Sequence, residues 1–98
     1  MNITKKEIEA LAIVDADYVI ASYDAITSKE ALKEAVHNLE RLYNAELKAY
    51  NAHQSMEPTS YSGVYVFTNA QACVYRNTRA EAYKKAMRRI KDVLQNMS

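Results

Sequence analysis

The sequence predicts an all-α protein: a small antiparallel three-helix bundle, or a long helical hairpin with a further helix docked on it. Three observations predict it. The 98 residues include a single glycine, Gly63, and a single proline, Pro58, too few for the turns of an all-β fold. Apolar residues recur three and four apart over three long stretches, the period of helices with one buried face. Four Ser/Thr-x-x-Glu/Gln signatures punctuate the chain: Thr4 with Glu7, Thr27 with Glu30, Thr68 with Gln71 and Thr78 with Glu81. In such a box the hydroxyl satisfies an orphan amide at a helix start while the acid or amide reaches back.

The first box opens a helix over about 5–26, whose apolar stripe reads Ile8, Leu11, Tyr18, Val19 and Ile26. The second opens a helix over about 28–54, with Leu32, Ala35, Leu39, Leu42, Tyr43 and Tyr50 on one side. Residues 55–63, rich in serine and holding Pro58 and Gly63, read as the one clear loop. Val64–Phe67 has strand-like composition, yet four residues do not separate a strand from a first helical turn. The last helix spans about 68–97, with Ala80, Tyr83, Met87, Ile90, Leu94 and Met97 in line. Short links favour antiparallel neighbours, and one domain accounts for residues 1–98. A core this small gains from self-association.

Three polar residues interrupt the stripes: Asp15, Glu46 and Arg76. Counting from the links puts Asp15 and Arg76 in one layer, so the sequence predicts a buried pair between them. Such a pair either fixes helix register or faces a ligand at the mouth of the bundle.

A second irregularity is the group Val66, Phe67, Ala70, Cys73 and Val74. On a continuous helix these residues form an apolar patch rotated away from the Tyr83–Leu94 stripe. Either the helix breaks near Asn77-Thr78, where the fourth box stands, or the patch meets a partner, as contiguous exposed apolar surfaces do. The partner reading makes Val66, Phe67 and Val74, with Tyr65 and Tyr75 beside them, candidate docking residues. Eight tyrosines against one phenylalanine and no tryptophan suit half-buried contact positions.

Charge is split along the chain although the net is only +1. Residues 1–57 hold six Lys/Arg and ten Asp/Glu, a net of −4, and residues 58–98 hold seven and two, a net of +5. The basic residues fall between 76 and 91. Arg76, Arg79, Lys84, Lys85, Arg88 and Arg89 are candidates for binding an anion, whether a nucleotide, a nucleic acid or an acidic protein, and Lys91 extends the run. The plain alternative is a solvated helix face with cations towards its C-terminus. A sequence pI near 7.8 argues against avid, nonspecific nucleic-acid binding.

Catalytic and metal chemistry find little footing. Glu34-Ala-Val-His37 has the Glu-x-x-His spacing of carboxylate di-metal bundles, but there is one copy and it falls on a polar face. His53 has no acid or nucleophile in sequence reach. Cys73 has Arg76 one turn on, which favours a thiolate, while a lone helical cysteine also serves as a small apolar residue. One cysteine excludes an internal disulfide and suggests a cytoplasmic setting. No run is long and apolar enough for a membrane span. The expectation is a protein that is not an enzyme, with no cofactor or metal.

In size and style the chain resembles small accessory proteins of bacteria and their phages, counter-defence inhibitors among them. Two functions follow as expectations. The first is docking onto another protein, as an inhibitor or adaptor, with a homo-oligomer anticipated. The second is binding of a nucleotide or nucleic acid through the basic last helix. A purely structural oligomerisation module is the third.

Overall fold

In the computed structural model, which describes residues 3–55 and 68–97, the chain is three helices. They are α1 over Lys5–Asp24, α2 over Lys29–Ser55 and α3 over Asn69–Asn96. Both α1 and α2 pack on α3, and contacts between α1 and α2 are sparse. The all-α bundle predicted from the sequence is therefore present, with α3 as its spine.

Local chemistry sets the ends. The Thr4 hydroxyl accepts from the Glu7 amide while Glu7 reaches back to the Thr4 amide, a closed capping box. Thr68 and Gln71 do the same for α3. At α2 the cap is Ser28 and not Thr27: the Ser28 hydroxyl accepts from the Ala31 amide at 3.2 Å, and its carbonyl accepts from Leu32. The fourth box does not start a helix. Thr78 lies inside α3, where its hydroxyl donates to the Val74 carbonyl at 2.8 Å. The helix runs through Asn77-Thr78 without a break. Ser55, the first position of the predicted 55–63 loop, is the last residue of α2; the other positions of that loop, and Val64–Phe67, lie outside the described residues.

Direction follows from who meets whom. Leu39 packs beside Tyr83 and Glu46 meets Arg76, so α2 and α3 run antiparallel. Ile8 and Ala12 pack with Ala72 and Tyr75, whereas Ala16 and Ile20 pack with Tyr83 and Ala86, so α1 runs alongside α3 in the same sense. Small residues make this possible. Ala12, Ala16, Ala35, Ala72, Ala80 and Ala86 are all fully buried, and a methyl group allows close helix approach where a longer side chain would hold the backbones apart. The resulting core is thin and long. The molecule measures 49 × 23 × 18 Å, with a radius of gyration of 15.1 Å, against about 12.6 Å for a rounder chain of this length.

The stripes predicted for α2 and α3 largely hold: Leu32, Ala35, Leu39, Ala80, Tyr83 and Met87 are buried, though Met97 is 44 % exposed at the fraying end of α3. On α1 the stripe is displaced. Ile8 is buried as expected, but Ala12, Ala16 and Ile20 continue it, while Tyr18 is 85 % exposed. Ile26 falls beyond the end of α1. Alanines made the true face look less apolar than its neighbour.

Candidate functional site

The interior holds a charged layer between two apolar clusters. Below it sit Ala16, Ile20, Leu39, Tyr83, Ala86 and Met87; above it sit Ile8, Ala12, Ala72 and Tyr75. Glu46, only 5 % exposed, projects from α2 into this level. Its Oε2 pairs with Arg76 Nη1 at 3.0 Å, and its Oε1 faces Arg79 Nε at 3.5 Å. Arg79 Nη2 donates to the Tyr83 hydroxyl at 2.9 Å, and Arg79 Nη1 reaches the Tyr75 hydroxyl at 3.4 Å. That Tyr75 hydroxyl donates in turn to the Asp15 carboxylate of α1.

One connected set of side chains thus joins all three helices. Two guanidiniums meet two carboxylates, so no net charge is confined. The Arg79 guanidinium also lies over the rings of Tyr75 and Tyr83, with centroid distances of 5.3 and 5.8 Å, a favourable placement for a cation. Burial opposes the Arg79 charge, but the Tyr83 hydrogen bond and the attraction of Glu46 outweigh it and hold the group above its ordinary value.

The sequence singled out Asp15, Glu46 and Arg76, and all three join this layer, but the pairing differs. Arg76 is bound by Glu46, and Asp15 is bound by the Tyr75 hydroxyl. Wheel positions place residues at a level without saying which of two carboxylates an arginine reaches across a helix interface. Arg79, Tyr75 and Tyr83 complete the network. Arg79 was legible only as a member of the basic run.

This geometry corrects several surface assignments. Tyr75, read as a docking residue, is 5 % exposed and lies in the core. Val74 is partly buried against the Ile8 cluster. Of the predicted apolar patch, Val74 meets the N-terminal half of α1, Cys73 meets Tyr50 of α2 and Ala70 is exposed. Arg76 and Arg79, read as anion-binding, are turned inward onto Glu46. Tyr65, Val66 and Phe67 lie outside the described residues.

Of the remaining basic candidates, Lys85, Arg88 and Arg89 are exposed, as is Lys91, and Lys84 is half-buried. Cys73 is partly buried with its thiol directed at the Tyr50 carbonyl, 3.6 Å away. Burial pushes that thiol up from its ordinary value, opposite to the activation that the nearby Arg76 suggested. Glu34 and His37 are exposed on α2, and the side chain of His53 lies outside the described residues. Among the described residues no three His, Cys, Asp or Glu side chains converge as a metal site would require.

Among the described residues, the outer side of α1 carries an apolar feature. Ile13, Val14 and Tyr18 of α1 are 46, 64 and 85 % exposed, and Ala10 and Ala21 are exposed with them. They lie on the side of α1 turned from the core. Next to them a groove of about 580 Å³ runs between α1 and α3. Ile13, Ile20 and Ala82 give it an apolar floor. Glu9, Asp17 and Glu81 stand along one part of its rim, and Lys85 and Arg89 stand along another. Sequence reasoning missed this face, although the run Leu11-Ala12-Ile13-Val14 signals a helix with apolar residues on more than one side.

No family model, no curated protein and no solved structure matches the chain. No helix among the described residues is long and apolar enough to cross a membrane.

Proposed function

We propose that this chain is a non-enzymatic docking protein that works by binding a folded protein through the outer face of α1, as an inhibitor or adaptor does. The observation that carries this reading is the exposure of Val14 and Tyr18 beside Ile13 on a helix whose opposite face is already buried. A helix with apolar residues beyond its buried stripe carries surface that a partner can cover. An exposed tyrosine such as Tyr18 is also a common anchor of protein interfaces. The polar side chains that might have served chemistry are bound to one another in the charged layer, which favours binding over catalysis.

Affinity capture from the native host, with wild-type chain and a Val14→Glu/Tyr18→Glu variant at two salt concentrations, tests the reading. Docking through α1 predicts a protein retained by the wild type and lost by the variant, with weak dependence on salt. A partner lost instead on Lys84→Ala/Lys85→Ala/Arg88→Ala/Arg89→Ala, with steep salt dependence, would replace it by binding of a nucleotide or nucleic acid to α3.

A further inference from the structure

We infer that α1 is a lid. It opens as a unit about the link at residues 25–28 while α2 and α3 stay paired, and the α3 face it uncovers receives a helix that carries a carboxylate between small side chains. The inference is independent of the docking reading above, which uses the opposite face of α1.

The core divides along this line. Among the described residues, the cluster of Ile8, Ala12, Ala72 and Tyr75, with Ile3, Leu11 and Val74 against it, draws on no residue of α2. The other cluster sets Leu39 of α2 with Tyr83 and Met87 of α3, a contact that does not need α1. Opening α1 therefore dissolves one cluster and leaves the centre of the other.

The polar layer divides at the same place. Glu46 joins α2 to α3 through two guanidiniums, at 3.0 and 3.5 Å, and both ion pairs stay within the α2–α3 unit. What parts on opening is the hydrogen bond from Tyr75 to Asp15. The apolar hold on α1 is also slight at its middle, where Ala12 and Ala16 are wholly buried yet contribute only a methyl group each. Elements with few buried apolar contacts are those that open below the global transition. A hinge needs only a few residues outside the helices, and α1 and α2 are joined by residues 25–28, with sparse contacts between the two helices themselves.

The uncovered face has a defined chemistry. The Tyr75 hydroxyl, with Arg79 Nη1 3.4 Å from it, marks a position for a carboxylate, which Asp15 fills in the closed chain. Ala72 and Ala86 lie to either side along α3, and α1 meets them with Ala12 and Ala16. An entering helix therefore needs small side chains three residues before its carboxylate and one residue after it.

Native-state hydrogen exchange on the full chain tests the opening. The α1 amides are expected to exchange at least about tenfold faster than the slowest amides of α2 and α3, through an opening that precedes global unfolding. A second variant, Ala12→Phe/Ala16→Phe, holds the lid open by bulk confined to α1; α1 should lose protection while α2 and α3 keep theirs. A labelled synthetic peptide of residues 3–24 then probes the uncovered face by fluorescence anisotropy. It should bind the open variant at least about tenfold more tightly than the wild type, where the tethered α1 competes at an effective concentration of about millimolar. The Asp15→Ala peptide should bind about tenfold more weakly than the native one, as loss of a hydrogen bond to a charged group implies.

Exchange of α1, α2 and α3 in one common transition overturns the inference. So does an open variant that loses α2 and α3 together with α1, or one whose α1 stays protected. If the lid opens but the native peptide does not bind, or binds no better than the Asp15→Ala peptide, the proposed site beneath it is wrong.

Discussion

Replacing Glu46 is the most direct probe of what holds the three helices in register. Glu46 is 5 % exposed, and the side chains of its partners Arg76 and Arg79 are 17 and 18 % exposed, so solvent does little to relieve a stranded charge. Glu46→Ala removes the 3.0 Å ion pair to Arg76 and the 3.5 Å attraction to Arg79 together. It leaves two guanidiniums close to each other. Removing one member of a buried pair costs about 3–5 kcal/mol, a large part of the roughly 5–15 kcal/mol that holds a domain of this size together. With about 4–8 °C of melting temperature per kcal/mol, the midpoint should fall by more than about 12 °C. Glu46→Gln, which keeps an oxygen for Arg76 but no charge, should lose about half as much. A Glu46→Leu/Arg76→Met pair should recover part of the loss, because only Arg79 then lacks its carboxylate and it retains the Tyr83 hydroxyl. Urea unfolding followed by far-UV circular dichroism measures these chains together with the Glu46→Leu and Arg76→Met single variants. A Glu46→Ala loss below about 1 kcal/mol, or a double variant as weak as the sum of its singles, would refute the buried layer.

Other perturbations read separate parts of the structure. Tyr75→Phe deletes the hydroxyl that donates to Asp15, leaving a half-buried carboxylate without that partner; a loss of about 1–3 kcal/mol in urea unfolding is expected, and an unchanged midpoint would detach α1 from the layer. Cys73 should alkylate more slowly in the native chain than in urea at the same neutral pH, since burial disfavours the thiolate and the thiolate is the reactive form; equal rates by mass spectrometry would count against its placement. Tyr83→Ala, at a fully buried position, should cost about 3–5 kcal/mol. Tyr18→Ala, measured where the chain is monomeric, should stay within about 0.5 kcal/mol; comparable losses at the two sites would mean that α1 is rotated.

The fold was largely readable because helix signals are local. Thr4, Thr68 and the three- and four-residue spacing on α2 and α3 each act within a turn or two of themselves. The α1 face was harder. Its buried side is mostly alanine, and its exposed side carries Val14 and Tyr18, so hydrophobicity alone points to the wrong side. What decides is volume: α3 needs small side chains to lie close, and a hydropathy pattern does not report that need. The charged layer was half readable. Asp15, Glu46 and Arg76 stood out because they broke apolar stripes. Arg79 did not, because α3 already offers a run of cations in which one more is unremarked. The patch around Val74 illustrates a third difficulty. One helix of a bundle can bury two faces when two neighbours approach it from different sides, and α3 is that helix.

Charge segregation along the chain divides into a buried part and an exposed part. Asp15 and Glu46 come from the acidic part and Arg76 and Arg79 from the basic part, so the division first acts inside one chain, drawing α3 between α1 and α2 in a single register. Of the cations left outside, Lys85 and Arg89 face the groove. Salt separates the buried charges from the exposed ones, because it screens exposed charges far more. Raising ionic strength should leave the urea midpoint of the monomer nearly unmoved. A midpoint that drops with salt would mean that the Glu46 cluster meets solvent, and the register of the bundle would then have to come from its apolar contacts alone.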